Sequence, residues 1–320
     1  MNETISKYRT GIMGIAMISV MLFHQLFFYA NPFVDFFHLY GHWGVDVFLF
    51  VSGLGLVHSL RKNSISTFYK NRCKRLVPTC LVAGIFKYAF MLLGFKEHTN
   101  DNVVLLITNI YLWYIYAIIV YYIMAPWLYK LIIKYGIVVF ILSCVLSFCF
   151  HYIPLGDSPF YLINHIGWIS SRLPVFVLGM YLTIYPIKIS QKMVILVGLF
   201  FLIICMILQL GSTMVKYQWS VPHILLLILP SVPMLCITFA KLKELADRIK
   251  IGWFINLMGT YSLELYLWHE FIYKNIYFHQ WLGHLNNYTQ CILAICLIFL
   301  FVVMTSHIAK IIQLQINKVF

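Results

Sequence analysis

Long apolar runs separated by short basic segments dominate this chain. Of its 320 residues, 62% are hydrophobic and 10% are charged, whereas a soluble domain carries roughly 25% charged residues. A globular core of this size cannot bury so much apolar surface, so lipid must form part of the solvent. The sequence therefore predicts an all-α integral membrane protein, a bundle of transmembrane helices.

Runs of about 20 apolar residues mark the segments that can cross the hydrocarbon core as helices. Ten spans are predicted, over residues 10–30, 42–60, 76–95, 103–124, 135–153, 165–184, 192–210, 219–239, 253–273 and 289–309. The first run lacks a small-residue cleavage site after it and is expected to be a retained helix. Because no repeat, linker or second domain is visible, residues 1–320 are expected to form a single transmembrane domain.

The basic residues predict the orientation of these spans. With the N-terminus inside, 18 of the 23 Lys and Arg residues fall in cytoplasmic segments, three fall outside, and Lys87 and Arg172 lie within spans. Cytoplasmic loops carry an excess of such residues, so both termini are predicted to be cytoplasmic. Topology thus accounts for the net charge of +13, and no basic face with a nucleic-acid motif points to a nucleic-acid partner.

Eight cysteines lie in or beside the apolar runs, and none forms a Cys-x-x-Cys pair. This distribution is typical of small apolar side chains rather than of disulfides or metal ligands. No metal is therefore expected.

Ionisable residues within the predicted spans are candidate functional residues, because each costs at least ~2.5–3.5 kcal/mol to insert. Five of them are singled out here: His24, Asp46, Arg172, Glu264 and His269. The helical rise places four of them at similar depth in the outer half of the bilayer, with Glu264 nearer the middle. They predict a polar cavity that opens toward the outer face. A lone membrane histidine can also be a packing residue, and Arg172 needs an anion, which Asp46, Glu264 or a substrate would supply.

A second basic cluster lies in the predicted cytoplasmic segment 68–78. Arg72 and Arg75 are three residues apart and share one face if the segment is helical. Paired guanidinium groups suit bidentate recognition of phosphate. The alternative is a positively charged membrane anchor that contacts anionic lipid.

Five segments resemble the membrane acyltransferase-3 family, bacterial enzymes that O-acylate surface and secreted glycans, and they follow one another along the chain as in that family. The resemblance covers essentially the whole chain. Residues 44–53 are similar to a Gly-x-Asp-x-Phe-Phe-x-x-Ser-Gly signature, residues 68–78 to an Arg-x-x-Arg loop, and residues 262–269 to a Ser-x-x-x-Tyr-x-x-His motif. Residues 19–24 and 172–180 complete the set.

Two positions depart from the family pattern. Met13 stands where members often carry an arginine, although Arg9 lies one turn earlier on the same helix face. Glu270 follows His269, where an apolar residue is more usual.

The resemblance implies a donor and an acceptor on opposite sides of the membrane. Acyl-CoA, most often acetyl-CoA, would approach from the cytoplasm with its phosphates at Arg72 and Arg75. A hydroxyl of an extracytoplasmic or lipid-linked glycan would enter from outside, over Asp46, Arg172 and His269.

The resemblance also implies roles in the reaction. His24 would be the general base on the acceptor hydroxyl, and Arg172 or Tyr266 would stabilise the oxyanion. Glu264 and Tyr266 are further candidates for substrate contact, and His269 for a catalytic role. Covalent catalysis through an acyl-histidine stays open as a variant, as do the identities of the acyl group and of the acceptor.

Two other functions remain open. A buried His, Arg and Glu set is also what transporters and flippases use, although these favour internal repeats or broken helices in paired positions. A non-catalytic membrane partner in an envelope assembly is the other. The expected location is the bacterial plasma membrane, with lipid and a glycan as partners and homo-oligomerisation left open.

Overall fold

The computed structural model of the chain describes residues 2–28, 31–94, 103–109, 112–152, 166–215, 228–278 and 285–319. These ranges contain helices and short turns, and no strand. The helices are α1 Asn2–Lys7, α2 Arg9–His24, α3 Pro32–Tyr40, α4 Trp43–Lys62, α5 Ile65–Leu92, α6 Val103–Thr108, α7 Trp113–Tyr135, α8 Ile137–Tyr152, α9 Ile166–Ile184, α10 Gln191–Val215, α11 Ser231–Arg248, α12 Gly252–Thr260, α13 Ser262–Phe278 and α14 Asn287–Val319.

Five of these helices, α4, α5, α7, α10 and α14, are long and apolar enough to cross a membrane. Three shorter helices, α2, α8 and α9, are also apolar. A helix satisfies its backbone hydrogen bonds internally, which is what a segment surrounded by lipid requires. The predicted all-helical membrane class is therefore confirmed, and the count of ten spans and their orientation stay predictions.

Two of the predicted spans are divided. Residues 103–124 fall on α6 and α7, which are separated by Asn109 with a φ angle of 55°. The side chain of Asn109 donates to the carbonyl of Cys80 at 2.7 Å and accepts from Lys87 Nζ at 3.0 Å. Because Cys80 and Lys87 both belong to α5, these contacts connect the break to that helix. The ninth predicted span is divided in the same way at Tyr261, between α12 and α13.

Other helices begin or end away from the predicted bounds. The helix of the first span ends at His24, and α5 begins at Ile65, eleven residues before the predicted start of the third span. Ser64 caps α5 by accepting a hydrogen bond from the Thr67 N–H at 3.2 Å. The Arg72–Arg75 segment is consequently helical. Residues 219–227 of the eighth predicted span lie outside the described residues.

Helix α4 lies at the centre of the packing. In its 18-residue apolar stretch, 78% of the residues are buried inside the protein. The corresponding share is 11% for α10 and 22% for α14. Helix α4 packs on α2, α7, α9 and α11, while α2 also packs on α12 and α13. The strongly lipid-exposed helices are peripheral, and the ionisable residues predicted from the sequence lie on the central ones.

Candidate functional site

A pair of glycines brings α2 and α12 into close contact. A Cβ atom on Gly14 would collide with the carbonyl oxygen of Ile255, and one on Gly259 would collide with the carbonyl oxygen of Thr10. Such small residues let two membrane helices approach at backbone distance. His24 lies ten residues after Gly14, and His269 ten residues after Gly259. Equal offsets in the same direction on parallel helices place the two histidines at the same level.

The two imidazoles are in direct contact. His269 Nε2 lies 3.2 Å from His24 Nδ1, and the ring centroids are 4.9 Å apart. His269 Nδ1 lies 3.0 Å from the Leu265 carbonyl and 2.9 Å from the Tyr266 carbonyl. Because carbonyls only accept hydrogen bonds, His269 carries its hydrogen on Nδ1, and in the neutral ring its Nε2 is an acceptor.

The same reasoning assigns the tautomer of His24. Its Nδ1 lies 3.0 Å from the Val20 carbonyl as well as 3.2 Å from His269 Nε2. Both of these neighbours accept, so Nδ1 carries the hydrogen of the neutral ring and donates to them. The other nitrogen, Nε2, has no hydrogen-bond partner among the described residues, so its lone pair is available on a half-buried side chain. This arrangement provides a base.

The chain leaves the helical path directly after His24. Gln25 is extended, with φ −68° and ψ 145°, and its Oε1 accepts from the N–H groups of Phe27 and Phe28 at 2.9 and 3.2 Å. His38 of α3 donates from Nε2 to the Gln25 carbonyl at 2.9 Å. Buried Gln25 therefore anchors the end of α2 to α3, and the hydrophobicity pattern gave no signal of this role.

A second pair of glycines joins α4 and α9. A Cβ on Gly53 would collide with the carbonyl of Phe176, and one on Gly179 with the carbonyl of Phe50. Asp46 lies seven residues before Gly53, and Arg172 seven residues before Gly179. The equal offset again places two ionisable side chains at one level of a parallel helix pair.

Asp46 and Arg172 form a buried ion pair with a separation of 3.5 Å between Oδ1 and Nη1. Their side chains are 0% and 2% exposed, and the guanidinium lies 4.9 Å from the centre of the Trp113 ring. Within the described residues, neither oxygen of Asp46 accepts a hydrogen bond, and Arg172 Nε and Nη1 donate none. Of the anions considered for Arg172, the structure supplies Asp46.

A cavity of about 390 Å³ lies beside Arg9, Arg72 and Arg75. Its lining continues along α12 and α13 to Tyr266 and across to Tyr114 of α7. Arg72 donates to Ser59 Oγ at 3.2 Å, and the Arg9 guanidinium lies against Gly55, so both contact α4. Three arginines converging on one cavity form a site suited to phosphate groups. Arg9 and Met13 line the same cavity, as their shared helix face predicts.

Glu264 pairs with an arginine of the cavity and not with the histidines. Its Oε2 lies 3.8 Å from Arg75 Nη2. The five-residue spacing from His269 sends the two side chains to different faces of α13. The structure thus places six of the eight predicted site residues in three pairs, namely His24 with His269, Asp46 with Arg172, and Glu264 with Arg75.

Aromatic side chains connect the cavity to the histidines. The rings of Tyr114 and Tyr266 are 4.8 Å apart, and the rings of Tyr266 and His269 are 5.5 Å apart. Trp113, which lies against Arg172, is 6.2 Å from Tyr114. Tyr266 is therefore the predicted site residue that borders both the cavity and the histidine pair. Tyr114 was not predicted, because nothing in its apolar run distinguishes it from neighbouring aromatics.

Within the described ranges, no three His, Cys, Asp or Glu side chains converge as a set of metal ligands.

Comparison with known proteins supplies the chemistry. No curated protein and no solved structure matches the chain. A family model described as an acyltransferase domain, that of the acyltransferase-3 family, matches residues 11–308, nearly the whole chain. That range includes both pairs of glycines, the histidine pair, the ion pair, and Arg72 and Arg75. The chain belongs to the acyltransferase-3 family and is a membrane acyltransferase.

Proposed function

We propose that this acyltransferase moves an acyl group, acetyl as the first choice, from cytoplasmic acyl-CoA to a hydroxyl of an extracytoplasmic or lipid-linked glycan. The observation that carries the proposal is the histidine pair, in which Nδ1 of His24 donates to His269 and Nε2 of His24 has no hydrogen-bond partner within the described residues. A base that must activate a hydroxyl needs such a lone pair within reach of the acceptor.

The arginine cavity supports acyl-CoA as the donor. Arg9, Arg72 and Arg75 would contact its phosphates, and the cavity continues to Tyr266, beside His269. Arg9 and His24 are the first and last residues of α2, about 22 Å apart along the helix axis. An extended pantetheine arm has the shape to carry a thioester along this path from the arginines toward the histidines.

The proposed reaction uses His24 twice. Nε2 takes the proton of the acceptor hydroxyl as the oxygen attacks the thioester carbonyl carbon. When the tetrahedral intermediate collapses, the carbon–sulfur bond breaks, and the imidazolium returns the proton to the thiolate of CoA. His269 holds Nδ1 of His24 in both states. Tyr266 lines the cavity and is better placed than the enclosed Arg172 to donate to the oxyanion.

The helix pairs support the proposed topology. Spans one and nine must start on the same side of the membrane if α2 and α12 are parallel, as must spans two and six for α4 and α9. Ten spans with both termini in the cytoplasm satisfy both conditions. With the basic residues inside, the arginine cavity faces the cytoplasm and His24 lies in the outer half of a bacterial plasma membrane. A single domain of residues 1–320 would then contain the whole path.

Substitution of His24 tests the proposal directly. His24→Ala in purified, folded protein is expected to lower acetyl transfer from radiolabelled acetyl-CoA to a glycan about 10²- to 10⁴-fold, the usual contribution of a general base. His307→Ala, an exposed histidine on α14, is the matched control and should transfer normally. Retained turnover in His24→Ala would remove the histidine from the mechanism. A transporter would release no label from the donor in either protein.

The donor site has a separate test. Arg72→Ala with Arg75→Ala is expected to weaken CoA binding at least tenfold, because two charge-assisted contacts to phosphate are lost. The variant keeps the histidine pair, so transfer should partly return at high acetyl-CoA concentration. Unchanged affinity for CoA would make the cluster a membrane anchor instead.

A further inference from the structure

Arg75 is held from one side by α12 and α13. Its Nη2 donates to the Thr260 carbonyl at 3.1 Å and lies 3.8 Å from Glu264 Oε2. Thr260 is the last residue of α12, so its carbonyl belongs to the group that a helix end leaves without an intrahelical partner. Arg75 thereby joins the break between α12 and α13 to α5.

The two members of this ion pair differ in exposure. The Arg75 side chain is 57% exposed and lines the cavity, whereas Glu264 is 5% exposed and lies behind it. Glu264 Oε2 accepts no hydrogen bond within the described residues. Burial keeps water from solvating the carboxylate. Its negative charge is therefore stabilised by the positive charge of Arg75.

An anionic donor at Arg75 meets this carboxylate across the guanidinium. Phosphate attracts the guanidinium from the cavity side, while Glu264 attracts it from the other side, in a partly water-excluded region where screening is weak. Glu264 thus opposes donor binding without lining the cavity, and it keeps Arg75 in place when the donor is absent.

We propose that Glu264 is a positioning residue of the donor site: it holds Arg75 against Thr260 and limits the affinity for CoA, so that the product leaves after transfer. The inference rests on the proposed function, since it takes a CoA thioester as the donor. The proposal assigns Glu264 to the donor site and not to the acceptor site. There, its negative charge lies next to Arg75.

Glu264→Gln removes the charge while preserving the size and shape of the side chain. In purified protein, calorimetry with CoA itself should show a Kd about three- to tenfold lower than in the wild type, and KM for acetyl-CoA should fall in parallel without a rise in kcat. In an Arg75→Gln background the same change should alter Kd less than twofold, because Glu264 acts through Arg75. Glu244→Gln, at an exposed glutamate paired with Arg248 at 3.0 Å, should leave Kd unchanged.

A merely structural role would change stability and kcat but would not tighten CoA binding. Unchanged or weaker binding in folded Glu264→Gln would overturn the inference and leave the proposed function standing, provided that Arg75→Gln alone weakens binding. Absence of CoA binding to the wild type would overturn the donor assignment and this inference with it. If Glu264→Gln does not fold, Glu264→Asp is the second variant, because its shorter side chain moves the charge away from the cavity. A smaller gain in affinity for CoA is then expected. A loss of affinity for CoA would contradict the proposal.

Discussion

Two parallel helix pairs in this acyltransferase use the same packing device to place different chemistry. At Gly14 and Gly259, α2 meets α12, and the histidines ten residues further on share a hydrogen bond at 3.2 Å. At Gly53 and Gly179, α4 meets α9, and the residues seven positions earlier form a fully buried ion pair. In both cases, the register of two parallel helices brings the two ionisable side chains into contact.

The two pairs differ in what they leave unsatisfied. The histidine pair uses three of its four ring nitrogens in hydrogen bonds and leaves His24 Nε2 on a half-buried side chain. The ion pair of Asp46 and Arg172 is enclosed, and neither carboxylate oxygen accepts a hydrogen bond within the described residues. We therefore expect the histidine pair to determine turnover and the ion pair to determine whether α4 and α9 stay together.

The largest expected effect on stability is at the ion pair. Arg172→Met should destabilise the protein by about 3–5 kcal/mol, because it leaves the Asp46 charge buried and uncompensated. Adding Asp46→Leu should recover most of that loss, since a buried ion pair replaced by apolar side chains is often neutral. Unfolding in detergent measures both.

Arg248→Met is the control for this comparison. Arg248 is 73% exposed and pairs with Glu244 on the surface, so its loss should cost no more than about 1 kcal/mol. Arg172→Met with wild-type stability would show that Asp46 has another partner, such as water, and would end the distinction between the two pairs.

The glycine contacts are expected to have the next largest effect. Gly259→Ala puts a Cβ against the Thr10 carbonyl and within 3.0 Å of the Gly14 nitrogen. Overpacking of this kind costs about 1–3 kcal/mol. Because α2 and α12 must separate, the contact between His24 and His269 should lengthen, and turnover per folded molecule should fall.

Two further glycine variants sharpen that result. Gly179→Ala should destabilise by a similar amount but retain more turnover per folded molecule, since the histidine pair is on other helices. Gly167→Ala, where a Cβ would meet nothing within 4 Å, should change neither quantity. Equal loss of turnover in Gly179→Ala and Gly259→Ala would mean that the two pairs act as one unit.

Much of this arrangement is predictable from the sequence, but the pairings are not. Hydropathy predicted the all-helical membrane class, and the cost of burying charge singled out five ionisable side chains as candidates. Periodicity predicts which face of its own helix a residue occupies, and it correctly separates Glu264 from His269. It does not tell which helices are neighbours, so Asp46 could not be preferred over Glu264 as the partner of Arg172.

The helix breaks show a second limit. An average of hydropathy over about 20 residues does not register a single residue at which a helix breaks. Asn109 therefore divides a predicted span without a signal, and Tyr261 divides another. The second break provides the Thr260 carbonyl that accepts a hydrogen bond from Arg75, and the proposed donor site depends on that contact. The equal offsets from the glycines were present in the sequence but had meaning only once α2 and α12 were known to be neighbours.

The smallest expected effect concerns the role of His269 within its own pair. His269→Gln keeps an oxygen able to accept from His24 Nδ1 but loses the hydrogen bonds of its own ring to Leu265 and Tyr266. If His269 only orients His24, kcat should fall about two- to tenfold, the worth of one or two hydrogen bonds, with KM for acetyl-CoA unchanged. Nitrogen NMR of labelled imidazoles should still show hydrogen on Nδ1 of His24. A fall in kcat as large as that of His24→Ala, with the tautomer intact, would mean that His269 itself transfers a proton, and the reactive unit would then be the pair and not His24 alone.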